Sequence, residues 1–101
     1  MRMVMVIYRH SLDQDLRRLL KSLDIKAFTE SPKLLGVGET THACGASTWP
    51  GHNAIILSAM EDDQAERVIG MLRKFRDHMV ELQGGAKIPL RVFTLPCERV
   101  I

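Results

Sequence analysis

Met3-Val4-Met5-Val6-Ile7-Tyr8 is an unbroken apolar run closed by the charged pair Arg9-His10, a pattern that predicts a strand buried on both faces. Beyond it, Leu12, Leu16, Leu19, Leu20 and Leu23 recur at helical spacing with Asp13, Arg17, Arg18 and Lys21 between them. Ser11 followed by Gln14 forms a capping-box pattern, so a first helix is predicted from Leu12 to Leu23. Ala27 to Leu35 is weakly strand-like, and Pro32, which has no amide hydrogen for a ladder, places this segment at a sheet edge. Ala54 to Met60 returns to a small-and-apolar run. A second helix is predicted from near Asp62, with Ala65, Val68, Ile69, Leu72, Phe75, Met79 and Leu82 on one stripe and a stop at Gly84-Gly85. Ile88 to Leu95 supplies a last strand, and no internal repeat, low-complexity tract or linker interrupts the chain.

The resulting order βαββαβ, with two crossovers of helical length, predicts an α+β fold: a ferredoxin-like sandwich with a four-stranded antiparallel sheet and two helices on one face. Two helices cover a single face of such a sheet. Yet Ile55, Leu57 and Ala59 alternate with Ala54, Ile56 and Met60, and Met3 to Tyr8 is likewise apolar on both sides. A homo-oligomer packed sheet to sheet covers the second face; partial exposure of Met, Ala and Val in a monomer is the alternative.

Residues 1–101 are short of the length at which chains usually divide, so one domain with one core is expected. Fourteen Lys and Arg against 12 Asp and Glu leave a formal charge of +2, too balanced for a nucleic-acid or membrane-surface binder. Two cysteines, Cys44 and Cys97, are too few for a disulfide framework and point to reduced thiols in the cytoplasm. The apolar run from Met3 to Tyr8 is too short to insert in a membrane.

In this topology the end of the first strand, the exit of the second and the start of the last meet at one end of the sheet. The three connections are Arg9-His10, residues 36–53 (GVGETTHACGASTWPGHN), and Gly84-Gly85-Ala86-Lys87. The middle one is too long for a tight hairpin, and loops of this length are generally functional or mobile. It carries His42, Cys44, Trp49 and His52. His42 and Cys44, two apart, put imidazole and thiolate on one side of an extended backbone, and His52 can fold back as a third donor. This set suits Zn(II) or Cu(I), with Glu39, His10, water or a neighbouring subunit completing the coordination; a merely solvated polar loop is the alternative. Gly36-Val37-Gly38 lets backbone amides approach an anion, and Gly84-Gly85-Ala86-Lys87 adds a flexible backbone followed by an ammonium group, a combination suited to phosphate. The plainer readings are a bulge at Gly36 and Gly38 and a helix cap at Gly84-Gly85. Asp13 with Asp15, and Glu61-Asp62-Asp63, stand at helix starts and read as caps favoured by the macrodipole. Ser47 or Cys44 as a nucleophile has no orienting third group on regular structure, so no enzyme activity is expected.

These residues resemble the PII-like signalling proteins, trimers of ferredoxin-like subunits related in architecture to the CutA divalent-cation tolerance proteins. Leu35-Gly36-Val37-Gly38 is similar to the glycine motif at the base of that family's T-loop, and Gly84-Gly85-Ala86-Lys87-Ile88 to a shortened form of its phosphate-gripping B-loop. Phe93-Thr94-Leu95-Pro96-Cys97-Glu98 resembles its final strand and exit. The resemblance implies a homotrimer that binds adenine nucleotides in clefts between subunits and docks its T-loop on a membrane transporter or an enzyme. Carried over, Gly36, Gly38 and Lys87 contact phosphates and residues 39–53 form the effector loop. The loop is shorter than in classical nitrogen regulators and lacks their modifiable tyrosine, since Tyr8 is the single Tyr. In its place stand His42, Cys44 and His52, which keep open a CutA-like metal-binding, metal-tolerance alternative. Heavy-metal chaperones and RNA-recognition domains share the expected fold, but their C-x-x-C after the first strand and their strand aromatics are missing from Arg9-His10-Ser11-Leu12 and AIILSAM.

Overall fold

A computed structural model of the chain describes residues 1–34 and 52–101. The elements are β1 (Arg2–Arg9), a 3-10 turn (His10–Leu12), α1 (Asp13–Ser22), β2 (Thr29–Leu34), β3 (Asn53–Met60), α2 (Asp62–Leu82) and β4 (Leu90–Pro96). The strands lie in the order β2-β3-β1-β4, each antiparallel to its neighbour, which is the ferredoxin-like arrangement expected from the sequence. Pro32 lies in β2, at the edge of the sheet, where its missing donor costs no ladder bond and where the register shifts between Ser31 and Leu34.

The helix starts differ from expectation. Ser11 falls inside the 3-10 turn, Leu12 is the N-cap residue of α1, and no side chain caps it, so the capping box does not form. Asp13 and Asp15 in the first turn, and Asp62 and Asp63 in that of α2, leave negative charge at the positive end of each macrodipole. The helix ends agree with each other. The amides of Asp24 and Ile25 donate to the carbonyls of Lys21 and Leu20, and those of Gly84 and Gly85 to Glu81 and Val80. Both are Schellman closures, with Asp24 (φ 60°) and Gly84 (φ 66°) at the left-handed position.

Alternation along the central strands divides the residues between the two faces. Val4, Val6 and Tyr8 of β1 and Ala54, Ile56 and Met60 of β3 are buried beneath Leu12, Leu16 and Leu20 on one side and Ala65, Val68 and Leu72 on the other. Ser58 is the buried polar residue of this layer among those described, and its hydroxyl donates to the Ala27 carbonyl at 2.8 Å. The opposite face carries Met3, Met5 and Ile7, cross-strand from Ala59, Leu57 and Ile55 on one side and from Leu95, Phe93 and Arg91 on the other. Neither helix covers it, and Phe93 and Leu95 are each 48% exposed.

Candidate functional site

β1 ends at Arg9, and from there the backbone is tied to both other connections at that end of the sheet. The Arg9 amide donates to the Pro89 carbonyl at 3.1 Å, and the His10 amide donates to the His52 carbonyl at 2.7 Å. The convergence expected from topology is therefore held together by hydrogen bonds one residue apart. Around these ties His52 is half-buried, while His10 and Lys87 are exposed. Gly36, Gly38, Glu39, His42, Cys44 and Trp49 lie outside the described residues. Among the described residues, no group of three or more His, Cys, Asp or Glu side chains is arranged to hold a metal ion.

The connection from α2 to β4 divides its work. The amides of Gly84 and Gly85 both satisfy carbonyls of the last turn of α2, so neither points an N–H at an external anion. Any grip on phosphate from this connection falls to Lys87, which sits past the cap and, among the described residues, has no carboxylate within ion-pairing distance. Cys97 stands at the other end of the sheet, its amide 3.4 Å from the Met1 carbonyl.

A polar cluster that sequence reasoning did not find joins three elements beneath the helices. The Tyr8 hydroxyl, on a side chain buried to 1% exposure, lies 2.7 Å from Asp13 Oδ1 and 2.8 Å from Glu30 Oε1. Arg17 closes the ring, with Nε 2.9 Å from Asp13 Oδ2 and its terminal nitrogen against Glu30. Burial, then the hydrogen bond to Asp13 and its charge, push the phenol well above its usual range. Burial alone would raise the Asp13 carboxyl, but the Tyr8 hydroxyl and the Arg17 guanidinium outweigh it and hold the group below its ordinary value. The partners are 5 and 22 positions from Tyr8, and only the fold brings the second pair together.

Two surface grooves lie elsewhere. One of about 320 Å³ runs between α2 and the edge of β4, with Leu72, Leu90 and Val92 at its floor and Arg73 and Arg76 beside it. Arg76 is paired with Asp77 at 3.0 Å. The other, at the α1–β2 turn, is lined by Arg17, Lys21, Lys26 and Phe28, with the Arg17 guanidinium 5.9 Å from the ring centroid.

By sequence the chain matches no family model and no curated protein. Its fold is that of solved PII-like proteins. CPII, a nitrogen regulatory PII-like protein from Thiomonas intermedia K12, superposes with a TM-score of 0.64 at 14% identity, over 97% of this chain and 88% of that one, in a structure bound to ADP and bicarbonate. A second structure of CPII, bound to ADP, AMP and bicarbonate, gives 0.63 at 14% identity over 99% and 94%. A protein of Thermus thermophilus assigned to PII-like signalling gives 0.60 at 18% identity over 93% and 85%. Among the described residues, no helix is long and apolar enough to cross a membrane.

Proposed function

We propose that the chain is a PII-like regulatory protein that binds an adenine nucleotide at the loop end of its sheet and passes the bound state to another protein through residues 39–53. The observation that carries this reading is the fold shared, nearly end to end, with a PII-like protein held with ADP and bicarbonate. The joined connections at one sheet end and the exposed ammonium of Lys87 beside them support it. So does the uncovered apolar face, which suits packing of three copies into a homotrimer whose clefts lie next to the loop ends. In this reading Gly36 and Gly38 approach the phosphates with Lys87, the chain works in the cytoplasm by binding rather than turnover, and its target is a membrane transporter or an enzyme.

Calorimetric titration of the full chain with ADP, AMP and adenosine tests the reading. Lys87→Ala is expected to weaken ADP by about tenfold or more, the loss of one charge-assisted hydrogen bond of roughly 1.5–3 kcal/mol, and to leave adenosine unchanged. Absence of any ADP binding up to millimolar concentration would overturn it. The same preparation separates the metal alternative: Zn or Cu seen in the native mass and lost in His42→Ala, without nucleotide binding, would transfer the ligand role to His42, Cys44 and His52.

A further inference from the structure

One hydroxyl of the polar cluster beneath the helices has more partners than hydrogens. The Tyr8 oxygen lies 2.7 Å from Asp13 Oδ1 and 2.8 Å from Glu30 Oε1. Each separation is that of a full O–H···O hydrogen bond, and a hydrogen divided between two acceptors gives longer contacts. A phenol carries a single hydrogen, and an ionised carboxylate carries none. With both acids ionised, one of the two contacts sets lone pair against lone pair. Water does little to relieve it, because Tyr8 is buried and the side chains of Asp13 and Glu30 are only 16% and 12% exposed. Arg17 directs its hydrogens to the far oxygens, Asp13 Oδ2 and Glu30 Oε2, and leaves the phenol contacts as they are.

One additional proton completes the cluster. Placed on Glu30 Oε1, it closes a ring in which every hydrogen meets one acceptor. Glu30 donates to the Tyr8 oxygen, Tyr8 donates to Asp13 Oδ1, and Arg17 donates to Asp13 Oδ2 and Glu30 Oε2. The ring then holds one anion against one cation, in place of two anions against one. Asp13 is the member that stays ionised, since it lies in the first turn of α1, where the macrodipole favours its charge, and His10 in the preceding turn adds to that when protonated. Glu30 has no such field: it lies on a strand, cross-strand from the buried Ile56. We infer that Glu30 is a proton-binding site, its carboxyl held in the folded chain as the neutral acid that donates to Tyr8, and that this proton fastens β2 to β1 and α1. The strand needs fastening, because β2 is an edge strand paired with β3 alone and its register breaks after Ser31. It ends at Leu34, so the proton acts at the root of the connection that follows. Loss of the proton places a second negative charge in the ring and turns the Tyr8 contact repulsive, which loosens β2 as the pH rises. The stability this site contributes is complete below about 4.3, the ordinary glutamate value, and is lost as the pH rises through the folded midpoint. The ligand is a hydrogen ion, so the site is independent of the nucleotide proposed above.

Carboxyl-carbon NMR of the full chain labelled with 13C-glutamate, titrated from about pH 3 to about pH 9, tests the site. The Glu30 resonance, assigned through the backbone, is expected to keep the position of the neutral acid at about pH 6, where a solvated glutamate is more than nine-tenths ionised. Glu30→Gln replaces the acid hydrogen by an amide N–H and keeps the carbonyl, so it is expected to hold the wild-type urea midpoint at neutral pH. Asp13→Asn removes the one anion and is expected to lower that midpoint. Protection of the β2 amides against hydrogen exchange, taken relative to β1, is expected to fall in the wild type as the Glu30 resonance moves and to stay level in Glu30→Gln. A Glu30 resonance that moves together with those of the exposed Glu61, Glu66 and Glu81 overturns the proton site, and this is read on the wild type whether or not a variant folds. A Glu30→Gln midpoint as low as that of Asp13→Asn overturns it too. Protection of β2 that ignores the titration overturns the fastening role.

Discussion

Tyr8 stands last in an apolar run and reads from the sequence as one more core residue, which its ring is. Its hydroxyl is where the reading stops short, because Asp13 and Glu30 reach it from elements that no local spacing relates. Asp13 was legible as an acidic residue at a helix start, but its second role, holding a buried phenol, was not. Tyr8→Phe leaves both carboxylates without that partner and is expected to destabilise the chain by about 1–3 kcal/mol in urea unfolding. The pH dependence follows from the two shifts. Asp13 lies below its ordinary 3.8 when folded, so its contribution is present above that value and is lost as the pH falls through the folded one. Tyr8 lies above its ordinary 10.0, so its contribution is intact below that value and declines as the pH rises further, when the unfolded chain ionises first. Stability measured against pH is expected to show both flanks, and Tyr8→Phe to remove the alkaline one.

At the scale of elements, six regular segments are where the hydrophobic pattern puts them, because strand alternation and helical stripes both report which face is buried. Their ends were less legible. β4 starts at Leu90 rather than Ile88, since Ile88 packs into the core from the connection, and α1 begins after a 3-10 turn that swallows the expected cap residue. Gly84-Gly85 announced the end of α2 plainly, while the matching closure of α1 uses Asp24, which gives no such signal. The two closures predict opposite substitution effects. Gly84→Ala places a side chain at φ 66° and is expected to cost about 1 kcal/mol, although its Cβ would meet nothing within 4 Å. Asp24→Gly relieves the same backbone conformation and is expected to raise stability by about 0.5 kcal/mol, both read from thermal or urea midpoints. The exposed Asp24–Lys26 pair, at 3.5 Å, offsets little of that gain.

At the scale of the whole molecule, the described residues leave one face of the sheet uncovered, and this was legible because β1 and β3 are apolar at nearly every position, a pattern that a half-exposed strand does not need. The meeting of three connections was legible too, as a property of topology; His42 and Cys44, identified by residue type and spacing, and Gly36 and Gly38, identified by their glycine motif, lie outside the described residues. Phe93→Glu puts a carboxylate in the middle of the uncovered face, opposite Met5. It is expected to shift sedimentation toward single chains while leaving the circular dichroism of the fold unchanged; wild-type-like assembly in this variant would count against sheet-to-sheet packing. The strand order has a further consequence, for how the chain comes into being. β1, made before the strands that flank it, sits in the interior of the sheet between β3 and β4, and its pairings run from Tyr8 with Ala54 to Arg2 with Pro96. A growing chain therefore holds this apolar strand without either neighbour until β3 emerges and without the second until β4 emerges. The interval before β4 arrives is when this protein is most exposed to aggregation, and a chain stopped after α2 would carry an open strand edge beside an open apolar face.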